Sequence, residues 1–335
     1  MKILYGIQGT GNGHLTRAME LLPYLKREAE VDVLISGLHH DLSIDFPVKY
    51  NCQGLGFFFG RNGGIDLPKT VRYLNLIRFM KDVKRLPVEE YDLVISDFEP
   101  VTAWACKIKR KYCLGVSHQS SLLSPNVPMP EKVDPLGMWI LNNYAPCNKY
   151  LGFHFDTYGD NIFTPVLRRQ IRVLEPENRG HITVYLPAYS DDVLLKVFNN
   201  GSSKKWEVFS KHTKKSFKRG NVSVFPVNGS SFLESMRTCD GVVCGAGFET
   251  PAETLFLGKK LAVVPMKGQF EQECNAYALQ KMGIPVWHHF EAMKKEELNL
   301  WLEAEGKKGL VDYPDNARYV ARYIMHHYGK TRALS

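Results

Sequence analysis

Two series of short apolar runs, each followed by a segment with helical spacing, constrain the fold of this 335-residue chain most strongly. The runs are rich in β-branched residues and end in glycine, proline or polar residues, as buried strands of a parallel sheet do. The first series reads KILYGIQ, VDVLISG, DLVISDF and YCLGVS, and the second reads ITVYLP, WEVFS, VSVFPV, GVVCGAG and KLAVVPM. The pattern predicts an α/β fold with two doubly wound, Rossmann-like domains and a cleft between them.

The alternation of strands and helices weakens between residues 124 and 180, where prolines and polar residues cluster, and restarts at HITVYLPA. We predict an N-terminal domain over residues 1–165 and a C-terminal domain over residues 166–318. The segment ARYVARYIMHHYG has helical spacing and predicts a final helix, which we assign to residues 319–335. A chain of this length suits two domains better than one.

Composition places the chain among globular proteins. Hydrophobic residues make up 44% and charged residues 23%, which excludes a disordered chain. No run approaches the roughly 20 apolar residues that a membrane helix needs, and the first run is too short for a secretory signal, so we expect a cytoplasmic protein. The seven cysteines are scattered without a C-x-x-C pair, and we expect neither disulfides nor a metal site.

The formal net charge of +8 is concentrated in basic stretches near residues 109–112, 167–172 and 202–220. Such a surface attracts phosphate-bearing substrates, an anionic membrane or nucleic acid, or it is a solvated face without a partner. The longest stretch lacks the interleaved aromatic residues of a dedicated nucleic-acid binder, so we expect no nucleic acid. Peripheral contact with the anionic inner face of a membrane stays open.

The first motif, GIQGTGNGHLTRA, places Gly11, Gly13 and His14 between the first strand and the first helix. Glycines let the backbone turn tightly and approach a ligand, and the free N–H groups of the following helix attract an anion. A histidine here suits a general base, because its ordinary pKa lies near neutrality, or it caps its own loop. Asp32, on the second strand, keeps a dinucleotide site open, although the G-x-G-x-x-G spacing is absent.

The second motif, SDFEP, places Asp97 and Glu99 at the end of a strand, and His118 with Gln119 follow the next strand. The carboxyl ends of parallel strands meet at one edge of the sheet, where ligands bind. Either carboxylate could orient His14, bind acceptor hydroxyls or cap the helix that follows. We assign Asp97 to the histidine and the other three residues to the acceptor side.

The third motif spans residues 245–276 and reads GAGFETPAETLFLGKKLAVVPMKGQFEQECNA. A glycine turn leads from a strand into a helix, whose free N–H groups suit a diphosphate. Glu253 lies one turn into that helix, where its carboxylate could bind ribose hydroxyls or favour the helix dipole. The next strand ends in acid and amide side chains that suit the hydroxyls of a sugar, namely Gln269, Glu271 and Gln272.

The run G-x-E-T-x-x-E followed by E-Q-x-x-N-A resembles the donor-site signature of GT-B nucleotide-sugar glycosyltransferases. It is similar both to UDP-glucosyl and glucuronosyl transferases and to the N-acetylglucosaminyltransferase of peptidoglycan synthesis, and GTGNGH resembles the histidine-terminated loop of the latter. The pieces SDFEP, FTPVLRRQI, ITVYLP and FPVNGSSFLESMRTCDGVVCGAGFET resemble a less characterised microbial branch. The resemblance covers most of the chain and implies a GT-B fold whose last helix crosses back onto the first domain.

The resemblance also implies a role for each matching residue. His14 would face the acceptor as the base, and Gly11, Gly13 and Gln269 would border the donor. The remaining donor residues would be Gly247, Phe248, Glu249 and Thr250 at the diphosphate, Glu253 at the ribose, Glu271 and Gln272 at the transferred sugar, and the backbone of Phe225 and Val227 at the nucleotide base.

Two residues of the third motif depart from the family pattern, and a third is electrostatically unfavourable beside a phosphate. Gly245 stands where plant-type enzymes have a histidine, and Glu271 replaces the usual aspartate of the E-Q pair. Glu249 puts a carboxylate beside the expected phosphate, so it must point away or pair with Lys211 or Lys267.

These features together predict a glycosyltransferase that moves a sugar from a nucleoside diphosphate sugar, with UDP as the expected nucleotide, to an unknown acceptor. His14, oriented by Asp97, would take the acceptor proton in an inverting displacement without a cofactor or a metal ion. A UDP-sugar 2-epimerase, an inactive nucleotide-sugar-binding protein and a nicotinamide oxidoreductase are the alternatives. The aromatic run 57–59 is a lid, a lipid or glycan contact, or ordinary core.

Overall fold

The computed structural model describes residues 1–10, 12–37, 46–55, 75–199, 204–306 and 309–329. The strands of a first sheet are β1 (Lys2–Gln8), β2 (Glu30–Ser36), β3 (Tyr50–Cys52), β4 (Leu93–Asp97), β5 (Cys113–Ser117), β6 (Lys149–Phe153) and β7 (Ile162–Phe163). Their order in the sheet is β3-β2-β1-β4-β5-β6-β7, and every pairing is parallel. Every residue of β4 and β5 is buried, as expected for central parallel strands with helices on both faces.

The described helices of the first domain are α1 (Asn12–Leu25), α2 (Leu76–Arg85), α3 (Pro100–Lys109), α4 (His118–Ser121) and α5 (Pro135–Asn143). Two of them begin with an acidic cap followed by proline, which suits the first helical position. α5, β6 and β7 lie in the segment where the sequence pattern had weakened. The sequence analysis missed them because the strands are short and the loops around them are rich in proline.

A second sheet contains β8 (His181–Tyr185), β9 (Lys205–Ser210), β10 (Phe217–Arg219), β11 (Val222–Pro226), β12 (Gly241–Gly245) and β13 (Lys260–Val264). Their order is β10-β11-β9-β8-β12-β13, and only the edge strand β10 is antiparallel to its neighbour. Its described helices are α6 (Arg169–Arg172), α7 (Asp191–Phe198), α8 (Gly229–Thr238), α9 (Glu249–Phe256), α10 (Phe270–Lys281) and α11 (Lys295–Glu303). Two parallel sheets with flanking helices confirm the predicted α/β architecture.

The first sheet ends with β7 and the second begins with β8, and the predicted domain boundary at 165/166 lies in that interval. The last helix, α12 (Ala317–Tyr328), packs against α1 of the first domain. The ring of Tyr328 stacks on that of Tyr112 with their centroids 6.4 Å apart, and Asn316, which precedes α12, donates a hydrogen bond to the carbonyl of Thr164. The end of the described chain therefore contacts the first domain.

The hydrophobic core runs from one domain into the other. A single cluster of buried side chains includes Ile3 and Phe155 on the first-domain side and Phe248 and Val263 on the other. The rings of Phe155 and Phe248 approach with centroids 5.1 Å apart. Within the described ranges, no helix combines the length and the apolar character needed to cross a membrane.

Candidate active site

A cleft of about 380 Å³ opens between the two domains, where the carboxyl ends of their parallel strands face each other. Such strand ends are the usual ligand-binding edge of doubly wound sheets. The first domain contributes the start of α1 to the lining, and the second contributes the turns after β8, β11 and β12. Eight residues that the sequence analysis assigned to the donor line it: Gly13, Val227, Gly247, Phe248, Glu249, Thr250, Glu253 and Gln272.

His14 lies in the first turn of α1, between Gly13 and Thr16, which both line this cleft. Its Nδ1 is 2.7 Å from Oδ1 of Asp97 at the end of β4. A carboxylate only accepts hydrogen bonds, so Nδ1 carries the proton and Nε2 presents its lone pair. Among the described residues, the hydrogen bonds of the His14 ring involve Nδ1 and not Nε2. The histidine side chain is 12% exposed, which leaves this nitrogen within reach of a ligand.

Asp97 is fully buried, and Arg17 neutralises its charge. The guanidinium donates from Nε to Oδ2 at 3.0 Å and from Nη2 to Oδ1 at 2.7 Å. Burial by itself would raise the pKa of Asp97, but the Arg17 charge and the contact with His14 outweigh it and lower the pKa below its ordinary value. The aspartate is therefore ionised at neutral pH and holds the imidazole in one orientation.

The turn after Asp97 explains why its neighbour Glu99 faces elsewhere. Phe98 has a left-handed backbone with φ of 50°, which is uncommon for a residue with a side chain. Beyond it, the Glu99 carboxylate accepts hydrogen bonds from the N–H groups of Val101 and Thr102 at 2.7 and 2.6 Å. Glu99 is fully buried and caps α3, so the prediction that it lies on the acceptor side is wrong.

Glu249 begins α9 and pairs with a residue that the sequence analysis did not consider. Its Oε1 accepts a hydrogen bond from Nη1 of Arg17 at 3.1 Å, across the two domains. The sequence analysis expected Glu249 to point away from the phosphate or to pair with Lys211 or Lys267, and the structure shows a pairing with an arginine of the first domain. The Glu249 carboxylate thus contacts the first domain at the cleft, which Glu249 also lines.

The turn between β12 and α9 keeps an open backbone beside the cleft. A side-chain carbon built on Gly247 meets no atom of the described residues within 4 Å. The Phe248 ring is 4% exposed and stacks on His118 with centroids 4.0 Å apart. Phe248 therefore contributes its backbone to the cleft, while its ring fixes the turn against the first domain.

Glu253 is 4% exposed and pairs with Arg168, which lies just before α6. The guanidinium donates from Nε and Nη2 to the two carboxylate oxygens, each at 2.6 Å. Burial raises the pKa of Glu253, and the Arg168 charge opposes that rise. Both side chains line the cleft, so a ligand there meets a paired carboxylate rather than an isolated one.

His118 and Gln119 contact the second domain. Nε2 of His118 is 2.6 Å from Oδ1 of Asn275, and Nδ1 is 2.7 Å from the carbonyl of Phe153. Gln119 donates from Nε2 to Glu271 at 2.9 Å. His118 is 1% exposed and Gln119 is 7% exposed, and the assignment of His118 to the acceptor side is corrected, because it is sealed between the domains.

The remaining residues that were assigned to the donor lie partly at the cleft and partly away from it. Oε1 of Gln272 accepts the N–H of Met266 at 3.0 Å. Gln269 precedes α10, and its side-chain Oε1 is buried without a hydrogen-bond partner among the described residues. Val227 borders the cleft, whereas the Phe225 ring stacks on Phe209 with centroids 5.6 Å apart. Gly11 and the aromatic run 57–59 lie outside the described residues.

The dinucleotide alternative relied on Asp32, and its position argues against that role. Asp32 is the third residue of β2, far from the carboxyl end of the strand where a ribose would bind. Its carboxylate accepts hydrogen bonds from Lys49 at 2.6 Å and from the Tyr91 hydroxyl at 2.8 Å. It belongs to a polar cluster at the opposite edge of the sheet.

Three residues of the site were missed by the sequence analysis: Arg17, Arg168 and Asn275. Arg17 lies three positions after His14, a spacing that puts both on one helix face, and this was the available signal. Arg168 was counted only as part of a basic stretch, and Asn275 only as a letter of the E-Q-x-x-N-A run. In the part of the chain that the structure describes, no group of His, Cys, Asp and Glu side chains is arranged to hold a metal ion.

Two doubly wound domains that face each other across a cleft, with a glycine turn on each side, define the GT-B class of fold. The sequence pattern of the family described as Glycosyl transferase family 1 matches residues 1–304. The chain therefore belongs to this family and is a glycosyltransferase. The fold and the activity that the resemblance implied are both confirmed.

Solved structures similar to this chain share its whole architecture. MurG of Acinetobacter baumannii aligns with a TM-score of 0.59 at 15% identity, over 97% of this chain and 99% of that protein. UGT89C1 of Arabidopsis thaliana, in complex with UDP-L-rhamnose, gives 0.60 at 12% identity over 99% and 95%. SnogD of Streptomyces nogalater gives 0.54 at 14% identity over 100% and 99%. No curated protein matches the sequence of this chain.

Proposed function

We propose that this glycosyltransferase moves a sugar from a nucleoside diphosphate sugar, with UDP as the nucleotide, to a hydroxyl group of an acceptor held by the first domain. The observation that carries the proposal is the pair formed by His14 and Asp97, 2.7 Å apart at the edge of the cleft. Opposite it lie the open turn at Gly247 and the N-terminal end of α9. A base thus faces an anion-binding backbone across a space of about 380 Å³.

In the proposed complex the diphosphate lies over the turn before α9, where free N–H groups and the helix dipole favour negative charge. Glu253 meets the ribose hydroxyls, and Gln272 with Glu271 meets the transferred sugar. Arg168 holds the Glu253 carboxylate with two hydrogen bonds of 2.6 Å, so the ribose contact is pre-formed. UGT89C1 was solved with UDP, and VinC, another protein of this fold, with dTDP, so both nucleotides belong in the first binding panel.

The proposed reaction is a single displacement with inversion at the anomeric carbon. Nε2 of His14 takes the proton of the acceptor hydroxyl as its oxygen forms the new bond to that carbon. The bond from the anomeric carbon to the diphosphate oxygen breaks, and the electron pair leaves with the diphosphate. The N–H groups of the turn and Lys211, which lines the cleft, stabilise this developing charge without a metal ion or cofactor.

Nucleotide binding tests the donor half of the proposal. UDP, GDP, dTDP and NADH are each added to the protein, and thermal unfolding is recorded. A ligand at 100 times its dissociation constant stabilises the folded state by about 2.7 kcal/mol, which is visible as a shift in Tm. We expect a shift with UDP that Glu253→Ala abolishes and that Glu234→Ala, at an exposed glutamate of α8, leaves unchanged. A shift with NADH alone would overturn the proposal.

Turnover tests the catalytic half. The UDP-sugar that binds best is offered with a panel of hydroxyl acceptors, and released UDP is measured. His14→Ala is expected to retain the nucleotide-induced Tm shift and to lose at least a hundredfold in rate. Unchanged turnover in that variant would remove His14 as the base, and interconversion of the donor sugar without an acceptor would identify an epimerase instead.

We further propose that α2 brings the protein to an anionic membrane. Its exposed apolar side chains are Leu76, Ile77 and Met80, at 59%, 86% and 37% exposure. Four exposed basic residues interleave with or follow them: Arg78, Lys81, Lys84 and Arg85. An apolar stripe with flanking cations suits the interface of a bilayer that contains acidic lipids.

Sedimentation with vesicles of phosphatidylglycerol and phosphatidylcholine tests this surface. We expect the wild type to bind these vesicles and not pure phosphatidylcholine, and Ile77→Glu to release it. Leu300→Glu is the matched control, because Leu300 is 70% exposed on α11 of the second domain. Equal binding to both lipids, or equal release by the control, would contradict the proposal.

A further inference from the structure

Three thiols of the first domain lie next to one another. Sγ of Cys147 is 3.5 Å from Sγ of Cys113, the first residue of β5. The Cys113 thiol also interacts with that of Cys106 on α3, so it contacts both of the others. None of the three is among the described residues that line the cleft, so the proposed reaction does not account for them.

The backbones at Cys113 and Cys147 lie at a separation that a disulfide can span. The N–H of Asn148, which precedes β6, donates to the carbonyl of Cys113 at 2.9 Å, and Oδ1 of Asn148 accepts the N–H of Cys113 at 2.8 Å. Hydrogen-bonded neighbouring strands lie about 4.8 Å apart, and disulfides join Cα atoms that are roughly 4.4–6.8 Å apart. The approach of the two Sγ atoms from 3.5 Å to a bond length of about 2.0 Å is therefore a small movement.

The three thiols differ in their access to solvent. Cys113 is 1% exposed, and hydrogen bonds with Cys106 and Cys147, together with burial, raise the pKa of its thiol. Cys106 is also 1% exposed, whereas Cys147 is half-buried and borders a small cavity beside Gln119. A small oxidant such as hydrogen peroxide therefore reaches Cys147 before the other two.

We propose that Cys147 and Cys113 form a reversible disulfide when the protein is oxidised. Hydrogen peroxide oxidises the Cys147 thiol to a sulfenic acid and is itself reduced to water. The Cys113 sulfur then attacks the Cys147 sulfur, the S–OH bond breaks, and the leaving hydroxide takes the Cys113 proton to form a second water. Two thiols and one peroxide thus give one disulfide and two waters, and a dithiol reverses the change by thiol–disulfide exchange.

The new bond closes a loop over residues 113–147, which carries α4 and α5. In α4, His118 and Gln119 make hydrogen bonds to Asn275 and Glu271 of the second domain. A cross-link restricts the unfolded chain more than the folded chain, so the disulfide stabilises this segment. The oxidation state of the thiol pair therefore sets the stability of the part of the first domain that contacts the second.

Peptide mapping of the full chain tests the proposal. The reduced protein is treated with hydrogen peroxide, the remaining thiols are alkylated, and a tryptic digest is analysed by mass spectrometry without reduction. Trypsin places the three cysteines on separate peptides, because it cleaves after Lys107, Lys111 and Lys132. We expect a cross-linked pair that contains Cys113 and Cys147, lighter than the two peptides by two hydrogen atoms, which dithiothreitol separates. The Tm of the oxidised protein should lie several degrees above that of the reduced protein.

Cys147→Ser should abolish both the cross-linked peptides and the rise in Tm. Cys274→Ser is the matched control, because Cys274 is a fully buried thiol of α10, and it should change neither result. The wild-type peptide map identifies the bond directly, so the proposal stays testable if Cys147→Ser fails to fold.

Two results of the peptide map would overturn the proposal. One is a cross-link between Cys113 and Cys106, and the other is a Cys147 that stays reduced, or reaches the sulfinic acid, while Cys113 remains a thiol. A disulfide that forms between Cys113 and Cys147 but lowers Tm would refute its stabilising role.

Discussion

The carboxylate of Glu249 in the second domain lies where a side chain on Gly13 of the first domain would begin. A β-carbon built on Gly13 falls 2.5 Å from the Cδ of Glu249, closer than real contacts allow. Gly13→Ala is therefore expected to displace Glu249 and break its ion pair with Arg17, while the buried pair between Arg17 and Asp97 keeps the fold. Turnover should fall at least tenfold with Tm reduced by only a few degrees, as measured by released UDP and by thermal unfolding.

Gly229→Ala is the control for this substitution, because a β-carbon at Gly229 meets no atom within 4 Å. It adds a methyl group to another turn of the same cleft. If both variants lose turnover equally, the loss does not come from the Glu249 contact.

Gly247→Ala separates ligand binding from stability. A β-carbon on Gly247 meets no atom of the described chain within 4 Å, so the added methyl group should not lower the free energy of unfolding. If a diphosphate lies over the turn before α9, the methyl group occupies that space, and we expect the affinity for UDP to fall at least tenfold. Isothermal titration of UDP measures it. Unchanged affinity would show that the nucleotide binds elsewhere.

The sequence predicted the sheets of this protein well because central parallel strands are buried on both faces. The runs that became β1, β4, β5, β8 and β12 are short and apolar and are followed by glycine, proline or polar residues, so their burial can be predicted from the local sequence alone. β6, β7 and α5 were missed, since Pro135 and the surrounding loops obscure any period. The α11 helix was also missed, because its exposed face is dominated by lysine and glutamate.

The sequence predicted several residues of the site, but it did not predict which side chains contact each other. His14 and Asp97 follow strands that were assigned to the same parallel sheet, and the structure brings the two side chains together. The contact of Arg17 with Glu249 spans 232 positions and depends on how one domain is seated on the other. Glu99 was misassigned, because Glu99 and Asp97 occupy similar positions in the sequence. The left-handed backbone at Phe98 separates them, so that Glu99 caps α3 and Asp97 contacts His14.

Lowering the pH should reduce the free energy of unfolding, because Asp97 becomes protonated. Its pKa is lowered in the folded chain, because the Arg17 charge outweighs the effect of burial. The ionised carboxylate therefore contributes stability that is complete above its unfolded pKa of about 3.9 and is lost as the pH falls through the folded value. Asp97→Asn is expected to cost about 3 kcal/mol in the free energy of unfolding near pH 5.5, since it leaves Arg17 short of a buried partner.

The measurement is the difference in urea unfolding between the wild type and Asp97→Asn from pH 5.5 to pH 3. The difference in the free energy of unfolding between the two proteins should become smaller as Asp97 of the wild type is protonated. A constant difference across the range would mean that the stability does not depend on the ionised carboxylate. Asp156→Asn, at an exposed aspartate, provides the baseline for general acid effects.

Asn275 provides the last test, because it connects the turn before α9 in the second domain to His118 in the first domain. Its side chain is fully buried, with Oδ1 2.6 Å from His118 and Nδ2 donating to the carbonyl of Ala246 at 3.0 Å. Asn275→Ala leaves both partners unsatisfied and should cost about 1–3 kcal/mol, mostly at the domain interface. Hydrogen exchange should therefore rise on both sides of the interface, in α4 and in the turn before α9, while β1 and β9 remain protected. Asn142→Ala, at an exposed residue of α5, is the control. If Asn275→Ala lowers protection evenly over both sheets, Asn275 stabilises the fold in general rather than the contact between the domains.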